Sequence, residues 1–471
     1  MTPSSHPDLG EMPENWNVVE LGLVSDITKL AGYEFTKHFK YIEEGEIIAL
    51  RSLNVVDGQL DTTNVKRIAK SVSEALPRSQ LFRNDILLTY TGSKLGDTAL
   101  VDSDDKYHLA PNVCRLRAND DDDAYFLYVF LRSKAFAALL DGYKVGSGQP
   151  TVPMKNIRKI PLPWPPKQER DEIGQAFRSL NDKIEINRQT NQTLEEMAQA
   201  VFKSWFVDFD PTRAKIKARD NGQDPNLAAM AAIAGKPLDQ LDTLSPEQIT
   251  SLTATADLFP DKLVPSEPGE IPEGWCWSEI GNEVTVAGGG TPSTKNEAFW
   301  EGGHIHWTSP KDMSNLTDKI LLETARKITQ AGLDKISSGV LPKNTVLMSS
   351  RAPVGYLAIS KIPVAINQGY IAMKCEGVLT SEFVVQWAES IMDDIKQRAS
   401  GTTFAEISKK NFKVIPVIVP DAELVGEYST IVGSLYDKIT GNLREKKSLT
   451  EVRDTLLPKL ISGEIILSEA V

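Results

Sequence analysis

The sequence predicts an α+β protein built twice, as two similar mixed α/β modules, each followed by a long helix that pairs with its counterpart in a coiled coil. Three observations carry this reading: an internal repeat, a sustained heptad, and a length of 471 residues, which at about 150 residues per domain gives roughly three folding units. In the repeat, Pro13-Glu14-Asn15-Trp16 recurs as Pro272-Glu273-Gly274-Trp275, and Leu21-Gly22 matches Ile280-Gly281 at the same offset of 259. From Lys155–Leu194 against Lys410–Leu449 the offset holds at 255 without a gap. Identities there include Ile160-Pro161/Ile415-Pro416, Asp182-Lys183-Ile184/Asp437-Lys438-Ile439, Asn187/Asn442 and Leu194/Leu449. A register kept over that distance marks duplication of a supersecondary unit.

Taken in order, the first copy begins with short β-branched strands between Gly, Asn and Asp turns, at Glu46–Leu50 and Asp85–Tyr90. A helix follows at Ala124–Leu140, whose apolar spacing is near 3.6; Tyr125, Phe126, Tyr128 and Phe130 belong to its core face. Asp120–Asp123 reads as a solvated acidic loop. The module closes on Ile160–Pro166, an apolar run whose prolines lack an N–H and suit an edge strand. The second copy repeats the plan, with strands at Gly303–Thr308 and Thr345–Ser349, a helix at Ser381–Arg398 and an exit strand at Val414–Pro420.

Each exit leads into a heptad. Ile173, Phe177, Leu180, Ile184, Asn187, Asn191, Leu194, Ala198 and Val201 follow alternating steps of four and three. Adding 255 gives Tyr428, Val432, Leu435, Ile439, Asn442, Lys446, Leu449, Arg453 and Leu456. A 3.5-residue period over four heptads is a coiled-coil seam, and an asparagine inside it weakens packing while specifying register. Between the copies, residues 220–270 hold nine acids and two bases, a net of −7 that leaves −5 for the remainder of a chain of net charge −12. This segment reads as an acidic connector in which Ser245-Pro246-Glu247 opens one short helix.

Several classes are excluded. The acidic total argues against coating nucleic acid by bulk charge, although local basic patches remain compatible with it. Cys114, Cys276 and Cys375 lie far apart, so neither a CxxC site nor a disulfide framework is expected, and a reducing, cytoplasmic setting follows. No signal peptide and no membrane-length apolar run is expected. Phosphate-loop, dinucleotide, zincin and nucleophile-elbow motifs are missing. His304 and His306 share a strand face, an arrangement read as two polar residues beside Trp307 rather than as metal ligands. Gly288-Gly289-Gly290 reads as a flexible turn.

Two segments are specific enough to point to a family. They are Phe202-Lys203-Ser204-Trp205-Phe206-Val207-Asp208-Phe209-Asp210-Pro211, closing the first long helix, and Leu456-Leu457-Pro458-Lys459-Leu460-Ile461-Ser462-Gly463-Glu464-Ile465, closing the second. With Trp307-Thr308-Ser309-Pro310-Lys311-Asp312-Met313 and the two Pro-Glu-Asn/Gly-Trp openings, the chain resembles the specificity subunit of type I restriction–modification enzymes. The resemblance implies two target-recognition domains, at 1–165 and 269–420, each reading half of a bipartite double-stranded DNA site. It also implies two long helices, at 166–210 and 421–465, which pair antiparallel as a spacer, with the acidic connector at 211–268. The fold class is then two α/β domains separated by antiparallel coiled-coil helices, with a pseudo-twofold internal repeat. Partners implied are double-stranded DNA, two methyltransferase subunits and restriction/translocase subunits, with no membrane. No cofactor is expected on this chain; S-adenosylmethionine, ATP and Mg belong to the partner subunits. No Asp/Asn-Pro-Pro-aromatic tetrapeptide occurs, and Trp164-Pro165-Pro166-Lys167 does not substitute, so the chain is expected to be non-catalytic. Antiparallel pairing is expected to set Asn187 opposite Asn442 and Ile173 opposite Leu456. Twenty-nine seam residues at ~1.5 Å each would span about 43 Å, or roughly 13 base pairs.

Candidate DNA contacts are polar and basic residues in loops after the apolar strands. In the first copy these are Arg51, Ser52 and Asn54, then Thr89, Tyr90, Thr91, Ser93 and Lys94, then Lys144, Ser147, Gln149 and Thr151. In the second they are Thr308, Ser309 and Lys311, then Ser349, Ser350 and Arg351, then Ser400, Thr402 and Thr403. Arg and Lys suit phosphates or guanine edges, and Asn or Gln pairs with adenine. Two rival functions stand beside this one: a coiled-coil protein-interaction adapter without DNA binding, and a self-sufficient modification enzyme.

Overall fold

Both modules are built on one pair of sheets, which the repeat generates strand by strand. The structure, a computed structural model, describes residues 4–56, 58–146, 148–267, 269–314, 316–400 and 405–466. It divides into two compact units, Met1–Ile186 with Glu445–Val471, and Asn187–Arg444. In the first unit, strands Ser25–Lys29, Val113–Ala118, Ile86–Thr89 and Thr98–Leu100 form an antiparallel sheet in that order. A second sheet carries Lys66–Ile68, Ile47–Leu50, Tyr107–Leu109 and Gln80–Leu81, with Ile47–Leu50 parallel to Tyr107–Leu109. The second unit repeats the first sheet as Thr285–Ala287, Tyr370–Lys374, Thr345–Ser349 and Leu357–Ser360, then adds Ile320–Leu321 at the edge. Its second sheet holds Arg326–Ile328, Ile305–Thr308 and Ala365–Ile366, the last two parallel.

The central strands read as unbroken apolar runs because both their faces are covered. Ile86 and Leu88 pack in one core with Cys114 and Leu116, while Leu87 packs in another with Leu50 and Leu109. Val346 and Met348 divide from Leu347 in the same way. Burial pushes the Cys114 thiol up to about 12, so it is an inert core group.

The expected helices at 124–140 and 381–398 are each two helices. Ala124–Leu131 is followed by Lys134–Gly142, and Ser381–Ser390 by Met392–Gln397. In the first copy Ser133 breaks the run, because its Oγ accepts the Phe136 N–H at 3.1 Å and caps a new helix. Phe126, Tyr128 and Phe130 are buried, as expected of core. The acidic loop is not wholly solvated. Asp123 is buried, and both its oxygens take hydrogen bonds from the Arg170 guanidinium, at 2.8 and 3.2 Å. That bidentate pair ties the start of the first long helix to its module.

The exit strands are edge pairs. Pro161–Trp164 pairs antiparallel with Asn17–Glu20, and Pro416–Val419 with Cys276–Glu279. Directly after each partner strand lies the repeated Leu-Gly or Ile-Gly dipeptide, and the structure explains its glycine. A Cβ on Gly22 would sit 2.8 Å from Arg158 Cβ, and one on Gly281 would sit 2.6 Å from Lys413 Cβ. Gly288-Gly289-Gly290 is likewise a close approach rather than a flexible turn, since a Cβ on Gly289 would lie 1.8 Å from the Ile366 carbonyl oxygen.

The long helices, Lys167–Phe206 and Ala422–Ile461, are 40 residues each. Each divides between the two units at the boundary given above. All eighteen heptad positions are buried or half-buried. Antiparallel contacts occur in both units: Lys183 pairs with Glu445 and Arg453 Nη1 donates to Asn181 Oδ1 at 3.1 Å in the first, and Asn442 Nδ2 donates to Asn191 Oδ1 at 2.8 Å in the second. In the second unit Asn442 thus meets Asn191, one helical turn from the Asn187 expected opposite it, while Lys183–Glu445 in the first unit lies within one residue of the expected alignment. The heptad supplies two adjacent asparagine slots, and at the end of the second helix Leu456, Leu457, Leu460 and Ile461 all pack in the Ile173 core.

The acidic connector is more ordered than its composition suggested. It folds into helices Asp210–Asp220, Pro225–Ala234 and Pro246–Asp257, with a small core of Ala229, Met230, Leu241 and Ala256. Asp224 caps the second helix and Ser245 forms a capping box with Gln248. The Lys215 ammonium is buried and donates to the Phe259 carbonyl at 2.8 Å; burial lowers its pKa. Among the described residues no helix is long and apolar enough to cross a membrane.

The asparagine pair gives a stability test. Asn442→Leu leaves the buried Asn191 amide without its partner and is expected to cost about 1–3 kcal/mol in urea unfolding. The double replacement of Asn191 and Asn442 by leucine should restore or exceed the original stability.

Candidate nucleic-acid interface

At one end of each sheet pair the same backbone hydrogen bonds recur in both modules, and they gather the predicted loops. The Val152 N–H donates to the Tyr90 carbonyl at 2.9 Å, and the Ile407 N–H to the Ser350 carbonyl at 3.0 Å. Thr91 bridges to Thr151, and Arg351 to Glu406, again at equivalent places. The second and third predicted loops thus meet in each module. The first loop joins them in the first module, where Lys94 Nζ donates to the Val55 carbonyl at 3.3 Å. In the second module a Cβ on Gly369 would lie 3.1 Å from Pro310, while the Ser350 N–H donates to the Gly369 carbonyl at 2.8 Å.

The structure sorts the candidates by exposure. Asn54, Thr89, Thr91, Thr308, Ser349 and Ser350 are buried. Asn54 Oδ1 accepts the Arg51 N–H, and its amide donates to the Asp61 and Asn64 carbonyls at 2.8 and 3.1 Å. Thr308 shares a hydrogen bond with the Tyr370 hydroxyl. Ser349 Oγ donates to the Pro353 carbonyl and accepts the Tyr356 N–H, and Thr91 meets Thr151 Oγ1 at 2.6 Å. Asn54, Thr91, Thr308 and Ser349 thus hold the backbone in shape, and all six buried side chains offer no surface to a ligand. The sequence singled them out because capping residues and base-reading residues are drawn from the same polar types.

Arg51, Ser52, Tyr90, Lys94, Thr151, Ser309 and Arg351 are half-buried, and Ser93, Lys144, Gln149, Lys311 and Ser400 are exposed. Ser147, Thr402 and Thr403 lie outside the described residues. Arg51 Nη2 donates to the Asn64 carbonyl at 3.0 Å. Lys94 faces Asp97, Lys144 faces Asp141, and Arg351 faces Glu406. Partly exposed pairs of this kind contribute little, so exchanging the carboxylate for a phosphate would cost little. Lys29, which the sequence reading did not single out, places its ammonium 5.2 Å from the Tyr90 ring centroid. In the second module a Cβ on Gly288 would meet the Lys409 ammonium at 2.7 Å, so a lysine reaches the edge of that sheet too. The loops Ala110–Asn112 and Asn367–Gly369 were also missed, being short segments between buried strands with no basic residue to flag them.

Among the described residues these loops gather no catalytic constellation. His306 Nδ1 lies 3.0 Å from Thr324 Oγ1, and burial, followed by the nearby Lys327, lowers its pKa. Among the described residues no group of three or more His, Cys, Asp or Glu could hold a metal.

Comparison with known proteins agrees with this duplicated architecture. The family model described as "Type I restriction modification DNA specificity domain" matches twice, at residues 13–196 and 272–450. The specificity subunit of the type I restriction enzyme HindI of Haemophilus influenzae is 28% identical over 471 residues, covering 96% of this chain and all of that protein. The MjaIX specificity subunit of Methanocaldococcus jannaschii is 32% identical over 185 residues, covering 39% and 42% of the two chains. Among solved structures, the S subunit of a type I restriction–modification system from M. genitalium superposes with a TM-score of 0.56 at 16% identity, covering 98% of this chain and 99% of that one.

The division between turn-holding and surface residues has a measurable consequence. Ser349→Ala should lower stability by about 1–3 kcal/mol, since it strands a buried N–H and a buried carbonyl. Lys311→Ala should stay within about 0.5 kcal/mol of the parent. Equal thermal unfolding of the two variants would contradict the assignment.

Proposed function

The chain belongs to the type I restriction modification DNA specificity family, and from that premise we propose that its two modules each read one half of a bipartite double-stranded DNA site. The observation that carries this reading is the repeated loop scaffold, in which identical backbone hydrogen bonds carry different side chains in the two copies. Such a scaffold keeps its shape while the base-reading groups change. The remaining basic side chains on the loops suit phosphates, which position a protein on DNA without specifying sequence.

The chain itself is non-catalytic in this reading. Two methyltransferase subunits dock on the paired long helices, and restriction/translocase subunits join them. S-adenosylmethionine, ATP and Mg chemistry resides on those partners. The chain's contribution is to choose the sequence on which they act.

Two experiments test the proposal. Duplex binding by the assembled complex should weaken steeply with salt, and Lys311→Ala should lower the slope of log K against log salt by about 1. A complex with no sequence preference among duplexes would favour an interaction adapter instead. Replacing residues 269–420 with the same span of a relative should change one half of the methylated motif and leave the other intact. A simultaneous change in both halves would overturn the assignment of one half-site to each module.

A further inference from the structure

In the second module, the loop Asn367–Gly369 connects the Ala365–Ile366 strand of one sheet to the Tyr370–Lys374 strand of the other. Two backbone hydrogen bonds pin its ends. The Asn367 N–H donates to the Thr308 carbonyl at 2.9 Å, and the Gly369 carbonyl accepts the Ser350 N–H at 2.8 Å. The first module holds its loop Ala110–Asn112 by the equivalent pair, Ala110 N–H to the Leu50 carbonyl at 3.1 Å and Tyr90 N–H to the Asn112 carbonyl at 3.2 Å. The backbone is thus conserved between the copies, but the side chains at its centre are not. Gln368 stands where the first copy has Pro111, and Asn367 where it has Ala110.

The second copy uses these differences to orient one amide. The Asn367 amide donates to Thr291 Oγ1 at 2.6 Å, and the Thr291 hydroxyl donates to Gln368 Oε1 at 2.5 Å. Asn367 Oδ1 is itself fixed by the Gly369 N–H at 2.7 Å. Gln368 is nevertheless exposed, and its amide nitrogen has no partner among the described residues. An exposed glutamine ordinarily gains nothing from being held, and ordering a free one costs rotamer entropy. Here three polar groups order the side chain in advance. Its carbonyl retains a second lone pair, and its NH2 retains its donors.

We infer that Gln368 reads an adenine in the half-site bound by the second module, its amide donating to N7 and its carbonyl accepting from N6, with Thr291 as the positioning residue. This is the bidentate pairing available to a glutamine in the major groove. The inference rests on the DNA-reading function proposed above and adds to it one residue and one base. The first module, with proline at the same place, makes no such contact there.

The test is the methylation motif of a host whose methylation depends on this chain, together with duplex competition by the assembled complex. Gln368→Ala should relax the motif at a single adenine in one half, lowering discrimination there by about 5- to 150-fold. The other half should stay unchanged. Thr291→Val should relax the same position less, and Thr291→Ser should restore it. Replacing the implicated adenine by 7-deazaadenine should weaken the parent complex and leave the Gln368→Ala complex unaffected. An unchanged motif, relaxation at a base other than adenine, or uniform weakening on all duplexes would overturn the inference. A parent complex with no sequence preference would instead overturn the function on which it rests.

Discussion

The end of the first long helix is an aromatic plug. Phe202, Trp205 and Phe206 are 2–3% exposed and pack edge-on or tilted against Phe383, Tyr428 and Phe259, with Trp275 beside Phe206 and Phe209. Each such pair contributes about 0.5–1.5 kcal/mol beyond the apolar area it buries. Trp275 comes from the Pro-Glu-Gly-Trp opening of the second copy, and Tyr428 from the second long helix. The plug therefore joins one copy's helix to the other copy's module. In the first unit Leu456, Leu457, Leu460 and Ile461, from the end of the second helix, pack with Ile160, Leu162, Ile173 and Phe177 in the same role.

The helix seam carries polar groups as well as apolar ones. A heptad alone permits Asn442 to face either Asn187 or Asn191, since both occupy seam positions. In the second unit Asn442 donates to Asn191 at 2.8 Å. Glu195 reinforces the arrangement in the second unit. Its Oε1 accepts from Lys319, Gln386 and the Tyr436 hydroxyl at 2.8, 2.9 and 3.3 Å. A half-buried carboxylate with three donors is satisfied, and it links both helices to two elements of the module.

The rigid layer beneath the loops has a functional consequence. Because both faces of Ile86–Thr89 and Thr345–Ser349 are buried, loop ends emerge from a packed support rather than from flexible chain. Capping side chains such as Asn54 and Ser349 then fix the turns, and the exposed side chains between them are free to differ. That separation of support from surface allows one backbone to serve two recognition tasks, and it is the reason the two copies agree in hydrogen bonding while differing at Gln368 and Pro111.

The sequence by itself determined the duplication, one strand of the central sheet in each module, the two long helices and the family resemblance. Each of these leaves a local or periodic imprint: a constant offset, a short unbroken apolar run, a period of 3.5, and an aromatic motif. It also showed Gly22 and Gly281 repeated at one offset, and the approach of Arg158 and Lys413 shows what a side chain there would meet. The tertiary structure decided what depends on groups distant in the chain. It paired Asn442 with Asn191 and folded the acidic connector around a core of four residues. It also divided the polar loop residues into those that cap turns and those that face outward. That last division cannot be read from residue type, because a serine that accepts a buried N–H and a serine that meets solvent are the same letter. Gln368 was passed over for the same reason: its orientation comes from Thr291, 77 positions earlier in the chain.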